Sequence, residues 1–323
     1  MSGREAYVDR AQIEAAVALV GRSMAPTPCV SWPQINELVG CEVWVKHENH
    51  TPIGAFKLRG GIVYMHELRR RDPRVTAVVT GTRGNHGQSV ALAAARSGLA
   101  ATIVVPRGNS TEKNAAMRAF GANVIEHGED FQAALDHAVH LARTADAHFV
   151  PAFDRKLVAG VATYAWELFH QRPDLECVYV PIGLGSGVCG TIAVRDALGS
   201  RTRVVGVVAD AAPAYALSFE AGKPIESPVG ATVADGVACR VPNDEALGVI
   251  LGGVERIVRV GERDIRAAMR CYYTATHNLA EGAGALALAA AVAERGTSKR
   301  RVGVVLSGAN VDWPVLREVF DTR

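Results

Sequence analysis

Short β-branched runs alternate with helix-length amphipathic segments along nearly all of this 323-residue chain. That rhythm constrains the fold more than any other feature. Continuous Val/Ile runs suit strands covered on both faces, as in a parallel sheet flanked by helices. The spacing predicts strands over residues 42–46, 75–80, 101–105, 123–126, 148–151, 177–181, 203–208, 256–260 and 301–306. Helices are expected over 130–145, 157–170, 188–198, 262–274 and 281–294. A further helix opens at Asn109-Ser110-Thr111-Glu112 and stops at Gly121. Residues 220–247, rich in Gly, Pro and Asp, read as an ordered loop region near a site.

Composition narrows the class. A hydrophobic fraction of 49% supports one large core or two smaller ones. The net charge of +2, with 21% charged residues, gives no sign of nucleic-acid binding. The clusters Arg69-Arg70-Arg71 and Lys299-Arg300-Arg301 read as solvated surface. The six cysteines are scattered and none forms a C-x-x-C pair, which suits a reduced intracellular protein. The N-terminus shows no secretory signal, and the most apolar stretch, 282–293, is too short to span a bilayer. The expectation is a cytoplasmic protein with a small-molecule partner and no membrane contact.

In α/β sheets ligands gather at the carboxyl ends of strands. Three strand ends and one lysine stand out. Gly183-Leu184-Gly185-Ser186-Gly187, with Gly190, follows the strand at 177–181 and leads into a helix. Glycines let backbone N–H groups approach an anion, and a helix N-terminus favours negative charge. Gly185-Ser186-Gly187-Val188-Cys189-Gly190 also fits G-x-G-x-x-G, so phosphate of either a nucleotide or another cofactor is admitted. Gly81-Thr82-Arg83-Gly84-Asn85-His86-Gly87-Gln88 follows the strand ending at Thr80; its amides and Thr82 could hold a carboxylate. Ser307-Gly308-Ala309-Asn310 follows the last strand. Lys57 lies among apolar neighbours in Gly54-Ala55-Phe56-Lys57-Leu58-Arg59-Gly60-Gly61. Desolvation lowers a lysine's pKa and makes its amine nucleophilic. His47-Glu48-Asn49-His50 is H-x-x-H rather than H-E-x-x-H, so no metal site is expected there.

Taken in order, these segments resemble the serine/threonine dehydratase family of fold-type II pyridoxal-phosphate (PLP) enzymes. The likeness runs over residues 27–310. It rests on Lys46-x-Glu48, on Gly54-x-Phe56-Lys57-x-Arg59-Gly60 and on Gly84-Asn85-His86-Gly87-Gln88. Phe153-Asp154 with Ala159-Gly160, the glycines from 183 to 190, and Ala234-Asp235-Gly236 follow. Glu281-x-x-Gly284-Ala285 and Ser307-Gly308-x-Asn310 complete it. This order sets the dinucleotide reading aside. The resemblance implies two doubly wound parallel-sheet domains with the cofactor between them: residues 1–70 and 150–323 as the larger, 71–149 as the smaller. It implies a Schiff base on Lys57, which would also act as base on the Cα proton. Phe56 would lie near the ring, and Asn85 would contact the ring's O3′. Gly183, Leu184, Gly185, Ser186 and Gly187 would bind phosphate, Ser307 would meet the pyridine nitrogen, and Glu281 would lie near the ring. Thr82, Arg83, Gly84, Asn85 and His86 would contact substrate.

The implied activity is an ammonia-lyase (dehydratase) that removes water from a 3-hydroxy amino acid such as L-threonine or L-serine. A less common substrate, such as 3-hydroxyaspartate or a hydroxyectoine-derived amino acid, is the alternative, as is amino-acid racemisation. Three departures matter. Ala55 stands where the family usually has serine, and Leu184 and Ser186 interrupt a run usually of glycines. Arg83 stands where serine racemases carry a serine base, and a guanidinium cannot take that role. Arg83 is expected either to select substrate or to pair with Glu48 or Asp154. Val208 and Ala214 stand where some members bind a divalent cation, so none is expected. His86 argues against a β-replacement enzyme, in which threonine is usual. A homodimer is implied, and the chain's length leaves no room for a C-terminal regulatory domain.

Overall fold

The computed structural model describes residues 6–296 and 301–321. Lys299 and Arg300, and the ends of the larger expected unit, lie outside them. In chain order the elements are α1 (Arg10–Gly21), β1 (Cys29–Ser31), α2 (Pro33–Val39), β2 (Glu42–His47), α3 (Lys57–Arg71), β3 (Ala77–Gly81), α4 (Asn85–Arg96) and β4 (Ala100–Val105). There follow α5 (Thr111–Ala119), β5 (Asn123–Glu126), α6 (Phe131–Thr144), β6 (His148–Phe149), α7 (Arg155–Gln171), β7 (Cys177–Pro181), α8 (Ser186–Ala197), β8 (Arg203–Ala209) and α9 (Ala214–Ala221). The last are α10 (Asp244–Gly253), β9 (Arg256–Val260), α11 (Glu262–Thr276), α12 (Gly282–Ala293), β10 (Arg301–Leu306) and α13 (Trp313–Asp321).

Two sheets form. One is six-stranded in the order β1-β2-β10-β7-β8-β9, parallel except for the edge strand β1. The other is four-stranded, β5-β4-β3-β6, and wholly parallel. Both larger-sheet faces are covered. Along β7, Val178 and Val180 enter a core with α1, α3, α7, α8 and α10, while Cys177 and Tyr179 enter one with α2, α11 and α12. Successive strand residues point to opposite faces, so a strand buried on both sides must be apolar throughout. Helix α12 is buried nearly all round, as a helix without a polar face requires.

Helix α3 joins the two sheets. Leu58, Ile62 and Val63 pack into the first core, while Tyr64, Met65 and Leu68 pack under β3 and β4. Sequence reading left this helix out because Gly60 and Gly61 each cost about 1 kcal/mol in a helix interior relative to alanine. The glycines serve contact instead: a Cβ on Gly60 would lie 2.9 Å from the Leu157 carbonyl of α7. The expected loop at 220–247 is shorter at both ends: α9 runs to Ala221, and Asn243 caps α10 by accepting from the Ala246 N–H.

Candidate active site

The segment that ends in Lys57 is stitched to the segment after β10. The Phe56 N–H donates to the Ser307 carbonyl (3.0 Å), and the Ala309 N–H donates to the Gly54 carbonyl (2.9 Å). Asn310 adds two bonds from Nδ2, to the Ile53 carbonyl and to Asn85 Oδ1, both at 2.8 Å. Asn85 Nδ2 in turn donates to Glu281 Oε1 at 2.7 Å. The stretches that carry Lys57, Asn85, Glu281 and the Ser307–Asn310 segment, four separated parts of the chain, therefore meet at one place. A side chain on Gly308 would collide with Glu281 Oε1, so glycine there admits the carboxylate.

Lys57 opens α3, and its Nζ sits 5.0 Å from the centre of the Phe56 ring. Burial lowers its pKa to about 8, against the opposing charge of Glu281. A useful fraction of free amine is thus present near neutrality. Burial raises Glu281 to about 7, opposed by Lys113, Asn85 and Lys57. Glu281 Oε2 is buried and has no hydrogen-bond partner. Such an orphaned atom in an otherwise bonded site points to a bound group. Since Glu281's negative charge supports the Lys57 ammonium, Glu281→Gln is expected to move the Lys57 pKa further down. The pH dependence of amine labelling at Lys57 in the cofactor-free protein reads this; a rise, or no movement, would contradict the coupling.

The position of Lys57 is set from behind. Side chains two apart on a helix point nearly opposite ways, so Arg59 faces away from the cleft. Its guanidinium is fully buried and doubly bound by Glu48 (2.7 and 2.9 Å) and by Glu167 (2.7 and 2.9 Å). Lys46 Nζ donates to Glu167 at 2.5 Å and to the Thr27 carbonyl at 2.8 Å. Two cations and two carboxylates thus balance within the core. Burial pushes Glu48 up, but the charges and hydrogen bonds of Arg59, with Lys46 and Thr27, hold it below the ordinary carboxylate range.

The glycine loop meets the expectation of an anion cradle. Gly185 caps α8 at φ +100°, a conformation that side chains rarely adopt. A Cβ on Gly183 would lie 2.8 Å from the Gly236 carbonyl. The first-turn amides of α8 have no intrahelical acceptors. The buried Ser186 hydroxyl has no bonded partner among the described residues. Leu184 packs its side chain on the core, and its carbonyl accepts from the Tyr215 hydroxyl (3.1 Å). Phe56 stands edge-on to Tyr164, 6.2 Å between centres, and the Tyr164 hydroxyl donates to the Gly187 carbonyl (2.8 Å). That chain of contacts ties the lysine to the cradle. The donor set fits pyridoxal phosphate: an amine at Lys57, a neutral hydroxyl at Ser307, an amide at Asn85 and the glycine loop at the N-terminus of α8.

In the loop after β3, Thr82 is buried and its Oγ1 accepts from the Gly84 N–H (3.2 Å). His86 is buried and bonded to the Val150 backbone; burial, with the Lys57 charge, lowers its pKa to about 3, so the ring is neutral. Arg83 is exposed, and neither expected ion pair forms. Glu48 is taken by Arg59, and Asp154 caps α7 by accepting from the Lys156 N–H. Sequence reading missed Lys113, a nearly buried lysine paired with Asp235 at 2.6 Å. Its signal was weak, because a lysine within an amphipathic helix ordinarily faces water.

The profile of the family described as "Pyridoxal-phosphate dependent enzyme" matches residues 20–308. The chain belongs to that family. It takes pyridoxal phosphate as cofactor, and its two parallel-sheet layers are those of fold type II. The chain is 35% identical over 288 residues to an L-threonine ammonia-lyase of Geobacter sulfurreducens, covering 88% of this chain and 71% of that one. It is 33% identical over 299 residues to an L-threonine dehydratase of Pasteurella multocida, covering 91% of this chain. It spans only 58% of that relative's length. Among solved structures, maize serine racemase superposes with a TM-score of 0.91 at 28% identity, covering 98% of this chain and 97% of the other. Among the described residues no cluster of three or more His, Cys, Asp or Glu is placed to hold a metal, and no helix is long and apolar enough to cross a membrane.

Proposed function

We propose that this PLP-dependent enzyme is an ammonia-lyase that removes water from a small 3-hydroxy amino acid, releasing a 2-oxo acid and ammonia. One observation carries the reading above the rest. A lysine amine of lowered pKa follows Phe56, which is bonded to Ser307 and packed through Tyr164 on the glycine loop at Gly187, and Ser307 is a neutral residue where a carboxylate would otherwise stand. When bound, pyridoxal phosphate supplies an electron-accepting ring that stabilises the charge left at Cα by proton loss. Gly183, Leu184, Gly185, Ser186 and Gly187 would hold its phosphate, and Asn85, Glu281 and Ser307 its ring. Phe56 would flank it.

Lys57 Nζ holds the proton taken from Cα, a task that suits a base whose pKa is near the working pH. The Ser307 hydroxyl does not keep the ring nitrogen charged, so prompt loss of the β-hydroxyl is favoured over long-lived charge on the ring. Thr82, Gly84, Asn85 and His86 would orient the substrate's carboxylate end. Arg83, free of an ion pair, would stand at the mouth and meet a second acidic group on a substrate such as 3-hydroxyaspartate. Likeness to a serine racemase makes racemisation the second reading, and Arg83 offers no proton acceptor on the opposite face. We place residues 71–149 as the smaller unit and the remainder as the larger. None of the six cysteines forms a disulfide among the described residues, which suits the reducing cytoplasm, and a homodimer is the assembly expected by family analogy.

A panel of L-threonine, L-serine and 3-hydroxyaspartate, assayed for 2-oxo acid and ammonia, tests the reading. Release from at least one is expected. Inversion of configuration without ammonia would replace the lyase reading with the racemase one.

A further inference from the structure

The loop at residues 82–86 has a buried cation built against it. Lys113 is only 6% exposed. Its stem passes directly over Gly84: a Cβ there would lie 2.9 Å from Lys113 Cδ and 3.5 Å from its Nζ. Glycine at that position is what lets the ammonium reach the loop. Nζ has three N–H donors, and Asp235 takes one. The other two have no partner among the described residues. Asp235 itself is 43% exposed, so water screens part of its charge. Burial works against the charge on Lys113, yet Glu281, Asp235 and Asp312 hold its pKa above the ordinary lysine value. Beyond the loop, Lys113, Asp235, Glu281 and Asn310 line a pocket of about 480 Å³ whose wall also carries Glu262, Arg266, Asp312 and Glu318. Unmet donors on a buried ammonium are costly, and an anion beside them removes that cost.

We propose that Lys113 is the counter-charge for the substrate's α-carboxylate, with Asp235 holding its ammonium over the loop. The proposal rests on the functional reading above, in which residues 82–86 take the carboxylate end. Arg83 lies in the same loop, but it is exposed, where an ion pair contributes little. The buried Lys113 therefore carries the recognition, and Arg83 is left for the substrate's other end.

The test compares glycine with glycinamide on the holoenzyme. Both carry the amine that meets the cofactor, neither has a leaving group, and only glycine has a carboxylate. Binding is read from the cofactor's absorbance change. The wild-type protein is expected to favour glycine by about tenfold or more, the range for a charge-assisted hydrogen bond in a dry site. Lys113→Gln is expected to bring that ratio down to about threefold or less. Asp235→Asn keeps an acceptor that holds the ammonium in place but removes the competing negative charge, so the ratio is expected to rise. If Lys113 only ties α5 to the opposite lobe, both variants weaken both ligands alike and leave the ratio unchanged, which overturns the proposal. Should Lys113→Gln fail to fold, Asp235→Asn alone decides: a risen ratio supports the proposal, and an unchanged or lower one overturns it. A wild-type protein whose spectrum answers neither ligand removes the functional reading and the proposal together. A response whose ratio neither variant alters removes the proposal alone.

Discussion

Lys57→Ala is expected to lower kcat/KM on the order of 10⁴-fold, because it deletes the general base, and to abolish covalent retention of the cofactor. Among the described residues Lys46 and Lys113 are buried lysines, and each has a carboxylate beside it that favours the ammonium form over a free amine. Lys57 alone combines a lowered pKa with the cleft. The absorbance of the covalently held cofactor after dialysis is the decisive readout. Its persistence in the variant would move the attachment to another amine and sink the assignment. Circular dichroism should be unchanged, since Lys57 makes no ion pair and opens its helix rather than lying within it.

Arg59→Met is expected to give the largest loss of stability, about 3–5 kcal/mol, because it leaves two carboxylates in the core with one cation. A guanidinium-chloride unfolding midpoint measures this. The pH dependence separates charge from packing. Glu48 in the wild type is held below its unfolded value, so its contribution is present above the ordinary carboxylate range and lost as pH falls through the depressed folded value. In the variant, carboxylates lacking their partner gain from protonation. The gap between variant and wild type should therefore narrow on acidification from pH 7 toward about pH 5, into the range where a buried, raised carboxylate titrates. A gap that stays constant would assign the effect to lost packing alone.

Much of the fold was legible because strands buried on both faces must be written as unbroken apolar runs. All nine expected strands form, with ends displaced by at most two residues. The three-residue edge strand β1 was not legible, since its pairing comes from β2 and not from any pattern of its own. The missed α1 did carry a signal: Asp9 and Gln12 form a reciprocal capping box ahead of buried Ile13, Ala16 and Val20. Helix α3 was hidden for a different reason. Its two glycines argue against a helix locally, and only contact with α7 and α4 makes them favourable.

The site divides in the same way. Glycine loops at strand ends, an apolar-flanked lysine and their order along the chain are local properties, and the sequence by itself determined the family and its cofactor from them. Which charges meet was decided only by the tertiary structure. Glu48 pairs with Arg59 and not Arg83, Asp154 caps a helix, and Lys113 crosses from α5 to Asp235. Ion pairing depends on distance and burial, and spacing along the chain encodes neither, whether the partners lie 11 residues apart, as Glu48 and Arg59 do, or 122, as Lys113 and Asp235 do.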